Sequence, residues 1–433
     1  MSSTSSLPKY YENLFDRTKT QSAALFLAPM EGLADRRFRK AISLKQTNYF
    51  DDICQEFIRI PSSLPEGALK EKFVKKLSIG NYDSNELIMD AMNARGLGRG
   101  RLLSAQIMGS NSELLECSAR FLADEGGAPR VDLNCGCPAN VVTGKGAGSS
   151  LLRNPELVYE CMKAVSSGCE GSNAVASLKM RVGFDDTSLF RENVIAACEG
   201  GAKILTVHGR TKKQGYSGEA DWTKIAEAVE ICRSFGGVKV IGNGDVTSCE
   251  RVARMLRETD VDGVMIGRGA VQDPLLFRRI KSRIRRDGNK VTLLSKEEAI
   301  EEERMGDEAE HVILFMRAFY DELIKAEDIV LNSSSGRQRF RTSKKGVKQT
   351  NDSRRVGKLK SIVKYLFTGN VYLSDKMSEV VGVADHKMSS FEMLERVEAL
   401  IRMYWKGEPA QHISVDNFSL RTKYDDSTAL FAV

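Results

Sequence analysis

The sequence predicts an α/β fold: a closed TIM-type (β/α)8 barrel followed by a smaller carboxyl-terminal helical domain. Three observations carry this. Short apolar runs of strand length alternate with helix-spaced segments between residues 23 and 285, as βαβ units of a parallel sheet do. Met30, Gln106, Asn134, Lys179, His208, Asn243 and Gly267 all fall at or just after the carboxyl end of a run. A barrel gathers such ends at one mouth; an open doubly wound sheet, the structural alternative, would spread them. At 433 residues the chain also has room for a barrel of roughly 250 residues and an appendage.

In chain order, residues 1–22 form a polar leader. It carries Lys9, Glu12, Asp16, Arg17 and Lys19 without an apolar core, which argues against a secretory signal, and its acids argue against a transit peptide. Ala23–Ala28, stopped by Pro29, is the first strand and Asp35–Ile42 a helix. Tyr49–Cys54 leads into Glu56–Arg59 as the second strand. Arg101–Ile107 is the third, Ser112–Ala123 a helix, and Val131–Asn134 the fourth strand. The alternation then becomes regular: helix Pro155–Val165, strand Ala174–Met180, helix Ser188–Glu199, strand Lys203–Val207, helix Trp222–Cys232, strand Val238–Ile241, helix Ser248–Arg257, strand Gly263–Ile266. The barrel domain is accordingly set at 23–285. A helical domain follows at 286–410: capping-box spacing at Ser295–Glu298, a helix from Glu301 to Lys325, a basic insert at 332–353, and helices Val356–Phe367 and Ser390–Trp405. A polar tail occupies 411–433.

No run approaches the roughly 18 apolar residues of a spanning helix, so a soluble protein with no membrane partner is expected. Nine cysteines, none of them in the last 180 or so residues, suit a reducing compartment. Cytoplasmic localisation is favoured. The net charge is +6, yet Arg337 to Lys364 holds eleven Lys or Arg against one acid, a local +10 that leaves −4 for the remainder. Such a concentrated basic segment is the footprint of a phosphate-backbone binder; the plainer reading is a solvated loop.

The chemistry centres on Val131-Asp-Leu-Asn-Cys-Gly-Cys-Pro138, where an apolar strand ends in a turn holding two thiols, and on the glycine-studded Thr143–Ser150 that follows. Cys135 reads as a small core residue, Cys137 as a thiol presented at the mouth. Their C-x-C spacing has no C-x-x-C partner elsewhere to complete a metal set, so no metal is expected. Gly242-Asn243-Gly244-Asp245 and Gly267-Arg268-Gly269 follow the last two strands, where barrels commonly seat a phosphate.

Asp132-Leu-Asn-Cys-Gly-Cys-Pro138 resembles the catalytic segment of the tRNA-dihydrouridine synthases. The resemblance extends, in family order, through Ala28-Pro-Met-Glu-Gly32, Gln106, Lys179 in Ser177–Val182, His208 in Val207–Thr211, Asn243 in Gly242–Asp245 and Gly267-Arg-Gly269. It implies FMN, with Pro29, Met30 and Glu31 along the isoalloxazine and Gln106 and Lys179 at its polar edge. Asn243, Gly244, Asp245, Gly267 and Arg268 would lie at its phosphate, and His208 at the phosphate or the substrate. An ion pair with Asp132 is the structural alternative for Lys179. The implied reaction delivers hydride to C6 of a tRNA uracil and a proton to C5, the proton from Cys137. A thiol suits that role because it is mostly protonated at neutral pH, with an unperturbed pKa of about 8.5.

No G-x-G-x-x-G follows a strand, so the donor, NADPH or NADH, and the tRNA would use one face in turn. Asn134 is expected to meet the uracil, and Arg181, Arg210, Lys212 and Lys213 the phosphates. Asp52–Arg59, Asn134–Pro138 and Arg355–Lys360 resemble the bacterial C-type branch, whose target is the D-loop uridine at position sixteen, so that position is favoured, with 17 and 20 as alternatives; Glu56, Lys358 and Lys360 would orient the tRNA. A monomer is expected. Two other readings stand beside this one: a flavin barrel acting on a free pyrimidine or enone, and a tRNA-binding protein without catalysis.

Overall fold

In the computed structural model the described residues are 7–18, 22–44, 49–82, 103–138, 146–295, 298–299, 307–332 (backbone alone at 326–332), 351–383 and 388–406. The expectations for Arg101, the start of the Thr143–Ser150 segment, Glu301–Arg304 and most of the basic insert lie outside them. The barrel strands are β1 Ala24–Leu27, β2 Asp52–Cys54 with β3 Ile58–Arg59, β4 Leu103–Met108, β5 Arg130–Cys135, β6 Val175–Arg181, β7 Ile204–His208, β8 Lys239–Asn243 and β9 Gly263–Ile266. All pairings among them are parallel. β9 pairs with β1 and β2 with both β1 and β4, so the sheet closes.

The second strand is split for a visible reason. Cys54 lies opposite Ser104 but Ile58 opposite Ile107, so four steps on one strand match three on its neighbour. This bulge lifts Glu56 out of the ladder, while Gln55 N still donates to the Ser104 carbonyl at 3.0 Å, and turns Glu56 towards the mouth.

Capping residues start the surrounding helices. Asn111 Oδ1 accepts from Leu114 N before Ser112–Asp124, Asn154 caps Pro155–Cys169 with proline in its first turn, and Asp221 and Ser248 cap Trp222–Ser234 and Cys249–Thr259. Each cap satisfies backbone N–H groups that a helix start leaves open.

Three elements depart from expectation. The leader contains helix α1, Lys9–Phe15, whose Tyr11 and Phe15 are buried and pack with Ala24, Phe26, Val175, Ile204, Ile241 and Met265 inside the barrel. Phe15 stacks on Phe26 at 6.2 Å. A second helix, Lys70–Asn81, follows β3. An antiparallel hairpin, Ile284–Asp287 with Lys290–Leu293, stands where the sequence predicts a return to helix. Ser295 and Glu298 do make the reciprocal bonds of a capping box.

Beyond the hairpin, the helix Glu308–Asn332 packs on Arg36–Ile42, with Phe315 edge-on to Phe38 at 5.7 Å. Helix Asn351–Gly369 approaches the barrel at Gly369, where a Cβ would stand 2.5 Å from that of Gln272. Ser390–Tyr404 completes the bundle behind a Ser389–Glu392 capping box. Among the described residues no helix is long and apolar enough to cross a membrane.

Candidate active site

The turn after β5 is built around Asn134. Its Oδ1 accepts from the backbone N–H groups of Gly136 and Cys137, each at 2.9 Å, and Ser149 Oγ donates to the Cys137 carbonyl at 2.8 Å. Cys137 is 8% exposed and packs with Met108, Phe57 and Ala147. Cys135 is wholly buried, and burial pushes its thiol well above the ordinary cysteine value. The two thiols have different surroundings: Cys135 lines the main core and Cys137 packs in the small cluster at the turn after β5. Among the described residues no group of three His, Cys, Asp or Glu is placed to hold a metal ion.

Asn134 is committed to this turn. Its oxygen accepts two bonds, and Nδ2 donates to Gln106 Oε1 at 2.8 Å. With both lone pairs of its oxygen engaged, a bond from Asn134 to a uracil carbonyl falls to the second N–H of Nδ2.

Across the mouth, Lys179 Nζ donates to Asn243 Oδ1 at 3.4 Å, not to Asp132, and Asn243 Nδ2 donates to the Met265 carbonyl at 2.8 Å. Burial, with Arg181 adding to it, lowers Lys179 to about 8. His208 is held well below its ordinary value by burial and then by Arg181, Lys179, Arg210 and Arg268, so it is neutral. Gly244 has a φ of +119°, where a Cβ would lie 2.8 Å from Ala220 Cβ and 3.1 Å from His208 Cδ2; only glycine fits both the angle and the gap. A Cβ at Gly267 would lie 3.3 Å from Met30 Sδ. Arg268 spans the rim, 4.2 Å over the Tyr216 ring and 3.6 Å from Asp245.

Four further expectations change. Arg210 is fully buried and grips both oxygens of Asp245 at 2.8 Å, while Asp245 Oδ2 also accepts from Ala220 N. Arg181 donates to the carbonyls of Gly136, Thr211 and Gly215 at 2.9–3.0 Å. These bonds fasten the mouth loops to one another, so the two arginines and Asp245 hold protein where the sequence predicts that they hold a tRNA or flavin phosphate. Glu31 pairs outward with Arg59 at 2.9 Å, whereas Pro29 and Met30 stay at the end of β1.

On the opposite rim Glu56 accepts from Gly32 N, and its carboxyl is pushed above the usual range by burial and by Asp35. Lys358 donates to the Gly32 carbonyl at 3.1 Å and lies 3.5 Å from Asp35, so the helical bundle and the bulged strand meet at one residue. Lys360 turns away to the Val383 carbonyl, as a two-residue separation on a helix requires.

Beneath the site lies a buried polar column that the sequence reading does not include. Tyr11, Asp52, Ser104, Arg130, Asp132 and Ser177 are all at most 1% exposed. The available signal is polar side chains at every second position of apolar strands: Ser104 and Gln106; Arg130, Asp132 and Asn134; Ser177, Lys179 and Arg181. A period of two points them all into the barrel.

Residues 26–355 match the family model described as dihydrouridine synthase. Similar proteins include the tRNA-dihydrouridine(16) synthase of Cupriavidus necator, 37% identical over 261 residues, 59% of this chain and 73% of the relative. The protein of the same name from Escherichia coli strain K12 is 34% identical over 259 residues, 59% of this chain and 75% of the relative. A probable tRNA-dihydrouridine synthase of Treponema pallidum is 35% identical over 205 residues, 46% of this chain and 60% of the relative. With a match running from the first barrel strand into the helical bundle, the chain belongs to the dihydrouridine synthase family.

Proposed function

We propose that the protein is an FMN-dependent oxidoreductase that uses NADPH to reduce the D-loop uridine at position 16 of tRNA to 5,6-dihydrouridine. The observation that carries the reading is the Cys137 thiol, fixed by Asn134 and Ser149 at a barrel mouth whose opposite side is positively charged. Family membership supports the reaction class, and the relatives' name supports the position.

The mouth fits a flavin phosphate. Lys179, Arg181 and Arg268 bring more positive charge than Asp245 offsets, which adds to burial in depressing Lys179 and keeping His208 neutral; an anion would relieve both. Gly244 and Gly267 leave the space that a Cβ would fill. Lys179, His208, Asn243 and Arg268 would hold the group, with Pro29 and Met30 along its ring and Gln106 at its polar edge. When bound, FMN supplies the hydride for C6 of the uracil.

Cys137 then gives C5 its proton. Its packing against Met108 and Phe57 keeps bulk water from doing so, and the Asn134 cap fixes the direction of approach. The target base has to leave its stack to reach the thiol. Glu56 and Lys358, bonded to either side of Gly32, would orient the tRNA as it enters.

The test is to incubate the purified protein with NADPH and a D-loop-containing tRNA transcript, then map dihydrouridine by mass analysis of nuclease fragments. Dihydrouridine at position 16 and FMN released on denaturation are expected. A flavin-free protein that cannot be reconstituted, or reduction of free uridine in place of tRNA, overturns the reading.

A further inference from the structure

Between the barrel floor and the Cys137 turn runs an unbroken chain of hydrogen bonds. Tyr11 OH donates to Asp52 Oδ2 at 2.6 Å. Arg130 donates to Asp52 Oδ1 at 2.6 Å and to Asp132 Oδ1 at 3.1 Å, and Ser177 Oγ donates to the same Asp132 oxygen at 2.5 Å. Gln106 Nε2 donates to Asp132 Oδ2 at 2.7 Å, Asn134 Nδ2 to Gln106 Oε1 at 2.8 Å, and the N–H groups of Gly136 and Cys137 to Asn134 Oδ1 at 2.9 Å.

The direction of every link is forced. A carboxylate only accepts, so Gln106 must turn its NH2 to Asp132 and its oxygen to Asn134. Asn134 must then meet that oxygen with its own NH2, which leaves its oxygen facing the two backbone donors of the turn. Approached from the turn, two N–H groups demand an acceptor, and the same order follows in reverse. Both ends agree.

We propose that Asp132 is a positioning residue for Cys137: its carboxylate sets the amide directions of Gln106 and Asn134, and through them the conformation of the thiol-bearing turn. Asp132 does not touch the turn itself. In Asp132→Asn, Arg130 can still only donate, so the new amide keeps its oxygen towards Arg130 and offers its NH2 to Gln106. A donor then faces a donor somewhere along the chain, at Gln106, at Asn134 or at the turn. Adding Asn134→Asp cures this. Asp at 134 accepts from a flipped Gln106 on one side and from the turn on the other, and the charge has moved one step up β5, opposite Lys179.

The experiment compares D132N, N134D and D132N/N134D by three readouts: thermal midpoint, the rate at which iodoacetamide alkylates Cys137 (followed on its tryptic peptide), and turnover of tRNA with NADPH. The first two need neither cofactor nor substrate. Only the third rests on the proposed function, so a wild-type protein inactive on tRNA sinks that function and leaves the other two arms intact. Each single substitution is expected to speed alkylation about tenfold and to slow turnover about a hundredfold, the scale of a misplacement of about 1 Å. The double variant should return both to within about threefold of wild type, a coupling far outside additivity. A buried acid with a purely structural role predicts the opposite, a double variant worse than either single. Additive damage, or a double variant no more stable than D132N, overturns the proposal. Should D132N fail to fold, Asn134→Ala leaves the Asp132, Arg130 and Asp52 charges whole. Wild-type alkylation in that variant would equally overturn it.

Discussion

Cys135 and Cys137 stand two residues apart and face different surroundings, so they should respond to the same substitution in different ways. Cys137→Ala is expected to leave FMN content and NADPH-driven flavin reduction unchanged while tRNA reduction is lost, which stopped-flow of the two half-reactions reads directly. Cys135→Ala should keep full turnover and lose about 1 kcal/mol of stability to the small void it leaves. Lys179 supplies a pH signature. Its folded value of about 8 lies below that of a free lysine, so between pH 8 and the ordinary lysine range the unfolded chain binds more protons than the folded one. The contribution of Lys179 to the stability of the flavin-free protein should therefore rise with pH across that window, against the fall contributed by buried thiols such as Cys135, whose folded values are raised. The difference in thermal midpoint between wild type and Lys179→Met isolates it and should change in favour of wild type as pH rises from about 7 to 9.5, which brackets most of the window. The mouth residues are legible in the sequence because strand ends announce themselves. What Asn134, Arg181, Arg210 and Asp245 do is not legible: a residue's type shows what it can bond, and only the fold shows which partner has already taken the bond.

At the level of elements, helix starts are readable wherever Asn, Asp or Ser stands before an amphipathic run, as at Asn111, Asn154, Asp221 and Ser248. The second strand is less clear because its bulge breaks the period of two between Cys54 and Ile58. Helix α1 escapes because seven residues with two charges among them give no sustained pattern; its aromatic residues are the one hint. The basic segment is plain in composition, and it leads into a helix that carries Lys358 to the barrel rim. Removing residues 333–350 is expected to weaken tRNA binding and flatten its salt dependence by about 0.7–0.9 in log–log slope for each phosphate no longer neutralised. Filter binding across salt concentrations measures it. Lys358→Ala, by contrast, should change the slope by no more than a single phosphate's share and scatter dihydrouridine to neighbouring positions, because it loosens the joint at Gly32 that orients the barrel against the bundle.

The whole molecule is held from both ends of the barrel axis. At the mouth, the bundle reaches Gly32 through Lys358; at the floor, α1 inserts Tyr11 and Phe15 and begins the polar column. Tyr11→Phe keeps the ring and strips one donor from Asp52, leaving a buried carboxylate short of a partner, so a loss of about 1–3 kcal/mol is expected, read by chemical denaturation. A smaller loss would mean that Arg130 and Ser104 satisfy Asp52 without it. The pairing of β1 with β9 has a further consequence, in time. The strand that completes the cylinder is made roughly 240 residues after the one it joins, roughly 12–48 s of synthesis at about 5–20 residues per second. Until Gly263–Ile266 emerges, Phe26 and the aromatic pair of α1 have no finished cavity to enter. Helix α1, made before any strand of the barrel, is thus among the last of these elements to find its place, and a newly made chain spends that interval with its aromatic residues waiting.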